Sequence, residues 1–251
     1  MNSLLARLVI LELNFQETFK YKDAEQGTPK VDVAARNINR MHGKKARVRC
    51  FYKDIPDPDV ARALADCHII VATTDTHSSR QSVMELGAVF LRPVVNAGVG
   101  FVADNGRISR IEARVSSPPV GGPWCLSCGG HIDAFEAVRE ISDPEHRLML
   151  RERGYIKDTP APAVYWVNMR AAAESLSVIH TLIMPYREKD SPEPSDIFAD
   201  LLNPETLPIC HSSEENDCVV CGPGGLRGIG DAFFSSEGAF IEELDLGEMP
   251  N

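Results

Sequence analysis

The sequence predicts an α/β fold on a mostly parallel sheet, with a distant C-terminal segment fastened to it by a metal site. Three observations predict it. Short apolar, β-branched runs alternate with stretches of helical period; two Cys-x-x-Cys pairs, "CLSC" at 125–128 and "CVVC" at 218–221, sit far apart in the chain; and a 251-residue composition of 43% hydrophobic and 25% charged residues supplies one sizeable core.

The elements follow in order. "VDVAARNINRMHG" sets Val31, Ala34, Ala35, Ile38 and Met41 on one helical face and ends at Gly43, a natural C-terminal stop. "ARVRCFY" alternates like a half-buried strand, and "DPDVARALADC" reads as a short helix with Asp57 favouring its dipole. "HIIVATT" is a continuous β-branched run, the pattern of a strand covered on both faces. "HSSRQSVMELGAVFL" is helical and "PVVNAGV" is another buried strand. Strand and helix alternating at this pitch predict parallel pairing through crossovers. From about Gly100 to Val115 the pattern becomes polar and alternating, which suits an antiparallel edge. "DPEHRLMLRERGY" is a short helix; "AVYWVNMRAAAESLSVIHTLIM" is a long one, apolar nearly all round, expected in the core or in a dimer interface. "REKDSPEPSD" is a charged, Pro-rich connector, so the chain divides into a body over 1–190 and a linker with C-terminal segment over 191–251, packed on the same domain.

The paired cysteines have three readings. With seven cysteines in the chain, two such pairs by chance are a few-percent event. A redox motif needs its first thiol at a helix start after a strand, whereas "SSPPVGGPW", "GG" and "GPGG" place both pairs in Gly/Pro loops. Loops of that kind let Cys125, Cys128, Cys218 and Cys221 converge on one cation, the ligand set of a closed structural zinc site. About ninety residues between the pairs make it a staple rather than a compact ribbon.

A net charge of −10 opposes broad attraction to nucleic acid or anionic membrane. "MNSLLARLVILEL" carries Arg7 and Glu12 and no small-residue cleavage site, so it reads as neither signal peptide nor span, and a cytoplasmic location with reduced thiols is expected. Ligands of such sheets bind beyond the carboxyl ends of the strands. Asp75, in "TDTHSSR" after the buried run, is placed to hold magnesium or to cap the next helix. Lys30, at the first turn of its helix, opposes the helix dipole unless an anion is present; surface decoration is the alternative. His77 lies in the same loop as Asp75, and "GPGGLRGIGD" lacks the preceding strand and following Lys-Ser/Thr of a phosphate loop.

"GTPKVDVAARNI", "CHIIVATTDTHSSRQSVMELGAVFLRPVVNAGVG", "CLSCGGHID", "RGYIKDTPAPAVYWVNMRAAAESLSVIHTLI" and "CVVCGPGGLRGIGD", in that order, resemble the ThiF family of E1-like, ubiquitin-activating type adenylyltransferases over about Gly27 to Asp231. The resemblance implies a Rossmann-like domain that adenylates the C-terminus of a ubiquitin-like or sulfur-carrier protein with ATP and Mg2+. It implies that Lys30 meets the ATP phosphates, that Asp75 holds magnesium, that Asn14 is the asparagine of the nucleotide-binding element, and that the four knuckle cysteines hold zinc. It also implies a homodimer or an E1-like heterodimer.

The chain departs from the family pattern in three places. No glycine precedes Gly27, so the Gly-rich nucleotide turn is expected to be missing and the fold N-terminally truncated; "VILEL" reads as a remnant strand. Glu17 stands where the family has a phosphate-binding arginine. No cysteine occurs between Cys128 and Cys210, which removes the usual covalent nucleophile and leaves Cys210, with His211 beside it, next to the second knuckle; Cys50 and Cys67 read as core. A non-catalytic scaffold that grips a ubiquitin-like partner or pairs with a complete subunit is therefore the alternative to an enzyme.

Overall fold

The computed structural model describes residues 8–11, 27–42, 46–53, 55, 57–104, 107–143, 145–146, 165–184, 196–202, 205–208 and 217–230. They build an α/β fold on a six-stranded sheet in the order β1-β2-β3-β4-β5-β6. The strands are β1 Leu8–Leu11, β2 Ile69–Ala72, β3 Val94–Asp104, β4 Arg107–Ser116, β5 Asp196–Asp200 and β6 Glu205–Pro208; the helices are α1 Lys30–His42, α2 Pro58–Ala65, α3 His77–Val89, α4 Ala134–Ser142 and α5 Tyr165–Ile183.

β1, β2 and β3 pair in parallel, as the alternation of strands and helices requires, and "LVIL" forms the strand read from "VILEL". The other three pairings are antiparallel, so the sheet is mixed where a mostly parallel one was expected. For β3–β4 and β5–β6 the reason is connectivity: two and four residues, respectively, separate the strands, and neighbouring strands so closely joined run in opposite directions. The Gly100–Val115 stretch is antiparallel as its pattern indicates but lies inside the sheet, because β5 covers the outer side of β4.

Alternation along β2 and β3 divides two apolar clusters between the faces of the sheet. Ile70, Ala72 and Val94 meet α2 (Val60, Ala61, Leu64), α3 (Val83, Met84, Leu86) and the knuckle residues Cys125, Leu126, Val220 and Cys221. Ile69, Val71, Val95 and Ala97 face the other way, toward Val115 and Ile179 of α5. Gly87 lets α3 lie close on β3, since a Cβ there would stand 2.3 Å from Val94 Cγ2.

Two elements differ from expectation. "ARVRCFY" forms no strand; Cys50 Sγ lies 3.6 Å from the Val31 carbonyl, the Tyr52 hydroxyl donates to Asp32, and Phe51 packs on the core, so its alternation comes from lying along α1. α5 buries a single stripe, Val167, Ala171, Ser175 and Ile179, while Tyr165, Trp166, Met169, Leu176 and Ile183 are exposed. No helix among the described residues is long and apolar enough to cross a membrane. The 147–155 part of the helix expected before α5 lies outside the described residues.

Candidate functional site

The two knuckles meet. The Cys125 sulfur lies 3.7 Å from both Cys128 and Cys218, the Cys128 and Cys221 sulfurs are 3.6 Å apart, and all four sulfurs fall within 4.8 Å of one another with no disulfide between them. Four sulfurs about 2.3 Å from a tetrahedral zinc would stand about 3.8 Å apart, and the Cys125–Cys128, Cys125–Cys218 and Cys128–Cys221 separations match that edge length. Each knuckle is closed by the same turn: Gly129 N–H donates to the Cys125 carbonyl and Gly222 N–H to the Cys218 carbonyl, both at 2.8 Å. Burial pushes the Cys125 thiol up to about 11 and raises that of Cys221. At Cys218 burial acts in the same direction but is outweighed by the backbone N–H groups of Cys221 and Val220, and that thiol is lowered. Arg227 ties the halves together, donating 2.7 Å to the Gly122 carbonyl and also to that of Cys221, while Gly228 N–H reaches Ala88 of α3 at 3.0 Å. The Gly-rich stretch is thus the outer wall of the knuckle pair, as read from its lack of phosphate-loop context.

Behind the first knuckle lies a buried polar row. Asn96, Ser116 and Asp196 are cross-strand partners on β3, β4 and β5, 7%, 0% and 0% exposed. Arg114 grips Asp196 with two bonds, Nε to Oδ1 at 3.0 Å and Nη2 to Oδ2 at 2.6 Å, while Ser116 Oγ donates to Oδ1 at 2.8 Å. His131 Nε2 is 3.0 Å from Asp196 Oδ2, and its ring stacks on Trp124. A carboxylate taken fully out of water requires such company. Asp196 ends the stretch read as a charged, Pro-rich connector; its true neighbours lie about 80 residues back in the chain, beyond the reach of local pattern.

At the carboxyl end of β2, Thr76 rather than Asp75 caps α3, its side chain accepting from Ser79 N–H. Asp75 stands one residue outside the helix and is exposed, so the capping alternative for this carboxylate does not hold. The start of α3 is further tied to α4: Glu140, 4% exposed, accepts from His77 N–H at 3.1 Å and Ser78 N–H at 2.6 Å, and His77 Nδ1 accepts from Asp133 N–H at 3.0 Å. A buried carboxylate on a helix N-terminus satisfies donors that would otherwise be orphaned. His77 is therefore a brace between two helices. Lys30 opens α1 and is exposed. Cys67 is buried with its Sγ on the Ala63 carbonyl at the end of α2, a core position as expected, and Cys50 is half-buried. Asn14, Glu17, Cys210 and His211 lie outside the described residues.

Glu140 escaped sequence reasoning because its partners lie more than 60 residues away. Its role yields a direct expectation. Glu140→Ala leaves two half-buried N–H groups without their acceptor and lowers stability by about 1–3 kcal/mol. Glu140→Gln, which keeps one acceptor, costs less. Urea unfolding measures both, and an alanine variant as stable as the parent would contradict the brace.

Comparison with known proteins gives a family and a set of neighbours. The ThiF family profile matches residues 10–207. Comparison with curated proteins by sequence finds no match. Among solved structures, E. coli MccB with ATP is similar at 21% identity and a TM-score of 0.56, over 86% of this chain and 58% of that one. E. coli MccB with MccA-N7isoASN gives 20% identity and a TM-score of 0.57 over 86% and 59%, and the microcin C7 biosynthetic enzyme MccB in complex with N-formylated MccA gives 21% and 0.55 over 86% and 60%. At these identities the likeness shows a shared fold. The chain spans 58–60% of the length of those structures' chains.

Proposed function

The chain belongs to the ThiF family, and from that membership we propose that it activates the C-terminal carboxylate of a peptide or small carrier protein by adenylation with ATP. The observation that carries the reading is Asp75, an exposed carboxylate at the carboxyl end of a parallel strand and released from helix capping by Thr76. Magnesium takes one or two carboxylates together with phosphate oxygens, and the crevice beyond parallel strands is where such sheets bind ligands. Asp75 is assigned to magnesium, Lys30 to the phosphates, and Asn14 to the nucleotide. Cys125, Cys128, Cys218 and Cys221 are assigned to a structural zinc, whose tetrahedron their sulfurs fit. ATP supplies the leaving pyrophosphate. A substrate carboxylate oxygen bonds to the α-phosphorus as the bond to pyrophosphate breaks, so no proton is removed and no general base is needed. Alignment and neutralisation of charge suffice.

Partner and place follow the same line. A ubiquitin-like or sulfur-carrier protein is the proposed substrate, by family likeness; the MccB structures hold the peptide MccA. Reduced thiols suited to zinc fit a cytoplasmic setting. The body over 1–190 and the segment over 191–251 act as one domain, joined by the knuckles and by β5 and β6. The scaffold reading keeps one specific support: no glycine precedes Gly27, so residues 1–26 offer no Gly-rich phosphate cradle.

Pyrophosphate exchange tests the reading. Incubated with ATP, Mg2+ and peptides ending in a free carboxylate, the protein should exchange labelled pyrophosphate into ATP. Amidated peptides should not support exchange. With no cysteine between Cys128 and Cys210, chemistry should stop at the acyl-adenylate. A thiol-reducible conjugate on this chain would contradict that end point and make Cys210 the first residue to replace.

The outer stripe of α5 is assigned to a second copy of the chain. Tyr165, Met169, Leu176 and Ile183 recur at helical spacing and are 57%, 49%, 64% and 52% exposed, a continuous apolar face unusual for a helix meeting water. Leu176→Lys should shift the protein to monomer in sedimentation analysis with little loss of stability, because Leu176 lies off the buried stripe. A parent protein that is already monomeric at micromolar concentration would rule this out.

A further inference from the structure

Charge is distributed unevenly along the chain. Residues 30–53 carry eight Lys or Arg and a single carboxylate, Asp32, while the other 227 residues carry 18 Lys or Arg against 35 Asp or Glu. The fold sets that basic stretch in one place. α1 and residues 46–53 lie side by side, joined by the contact of Cys50 Sγ with the Val31 carbonyl at 3.6 Å and by the Tyr52 hydroxyl, which donates to Asp32 and so engages the one carboxylate of the stretch. Arg40, Arg47 and Arg49 are exposed. Arg40 Nη2 donates to Asn37 Oδ1 at 3.2 Å, Arg49 lies 5.1 Å over the Phe51 ring, and among the described residues no carboxylate pairs with any of the three. The same two elements hold apolar side chains open to water, with Met41, Tyr52 and Val48 at 70%, 65% and 37% exposure.

A basic surface on an acidic protein suits an anionic occupant, and exposed Tyr, Met and Arg together have the composition of a protein interface. A phosphate polymer or an anionic membrane is extended, and beyond a Debye length of about 8 Å it also meets the acidic remainder of the molecule. A short acidic peptide segment meets the basic stretch alone. The chain contains one. Residues 231–251 hold six carboxylates and no Lys, Arg or His, and in "FIEELDL" at 240–246 carboxylates and apolar side chains are interleaved. They follow directly on Gly230, which is buried against Phe90: a Cβ there would stand 2.6 Å from Phe90 Cδ1. Phe90 and Phe51 pack on the same apolar cluster, so Gly230 lies on the side of the sheet that carries the basic surface. Twenty-one residues reach up to about 70 Å, enough to cross a domain whose radius of gyration is about 18 Å. We infer that residues 231–251 dock on the basic surface of α1 and 46–53, with carboxylates on Arg40, Arg47 and Arg49 and apolar side chains on Met41, Val48 and Tyr52. The inference does not depend on the adenylation reading.

Zero-length carbodiimide cross-linking of the full chain, with the sites mapped by mass spectrometry, tests it, because Lys44, Lys45 and Lys53 lie in the basic stretch. At low salt these lysines should couple to carboxylates of 231–251, and the yield should fall as salt is raised. The triple variant Arg40→Gln, Arg47→Gln, Arg49→Gln keeps every lysine and should lower the yield about tenfold, the worth of three surface charge pairs. In a mixture of isotope-labelled and unlabelled protein the cross-links should join fragments of like label. Heparin, a polyanion, supplies the reverse test. The parent should pass through a heparin column. Replacing the six carboxylates of 231–251 by their amides should uncover the basic surface and cause retention, which the three arginine substitutions should abolish when added. The amide variant leaves residues 1–230 untouched, so it carries the test if the arginine variant fails to fold. Absence of cross-links between 231–251 and the lysines of 30–53, a yield indifferent to the arginine substitutions, or a parent already retained by heparin would overturn the inference. Cross-links joining unlike labels would give the surface to a second copy, and binding of a labelled RNA that the arginine variant loses would give it to nucleic acid; either result contradicts the docking of 231–251 within its own chain.

Discussion

Protein purified under reducing conditions should carry about one zinc per chain, and Cys218→Ser should free residues 217–230 from the rest of the fold. The expected effect is large because the four thiolates join segments 93 residues apart. Structural zinc sites of this kind are worth about 10 kcal/mol in small peptides. Around the site the N–H groups of Gly222, Gly225, Leu226 and Gly228 are hydrogen-bonded to Cys218, Gly222, Val219 and Ala88. Hydrogen exchange at these four amides is the readout. Protection should collapse in Cys218→Ser or after chelation while β2 and β3 stay protected. Because Cys125, Leu126, Val220 and Cys221 also belong to the core against α2 and α3, overall stability should fall as well. Protection unchanged by the substitution, or metal-free protein with four titratable thiols and an intact fold, would show that packing alone holds the knuckles together.

ATP binding carries the second large effect. The residues assigned to it are Lys30, Asp75 and Asn14, with Glu17 where the family has a cation and no glycine before Gly27. Each missing charge-assisted hydrogen bond costs about 1.5–3 kcal/mol, so the 251-residue chain should bind ATP only at about millimolar concentration. Lys30→Ala and Asp75→Ala should each weaken it a further 10- to 150-fold or so, the same energy expressed as affinity. Calorimetry in Mg2+ and in EDTA separates the two roles: Asp75→Ala should erase the magnesium dependence, Lys30→Ala should leave it. Micromolar affinity for the unaltered chain would mean that other residues supply the phosphate cradle.

Much of this was legible in the chain, and what was not has a common cause. The β2 run "IIVA" is buried at all four positions, as an unbroken β-branched stretch beside helical sequence indicates. The knuckle cysteines announce themselves by spacing. Asp57, read as favouring the dipole of α2, also caps that helix by accepting from Asp59 N–H. The readings that needed revision depended on which surface a segment meets. "ARVRCFY" alternates because it lies along α1, and alternation alone does not separate that from a strand. The helix α5 is apolar all round, yet the sheet covers one side only. Asp196 and Glu140 were invisible for a stronger reason: their roles come from partners across the sheet and between helices, and no periodicity records those meetings.

The most direct test of the central claim is to locate Mg·ATP on the protein by NMR. The account predicts magnesium-dependent shifts at the amides of 73–78 and at the start of α1 around Lys30, abolished by Asp75→Ala. Shifts elsewhere with the Asp75 loop silent, or shifts there that persist without magnesium and in Asp75→Ala, would contradict it.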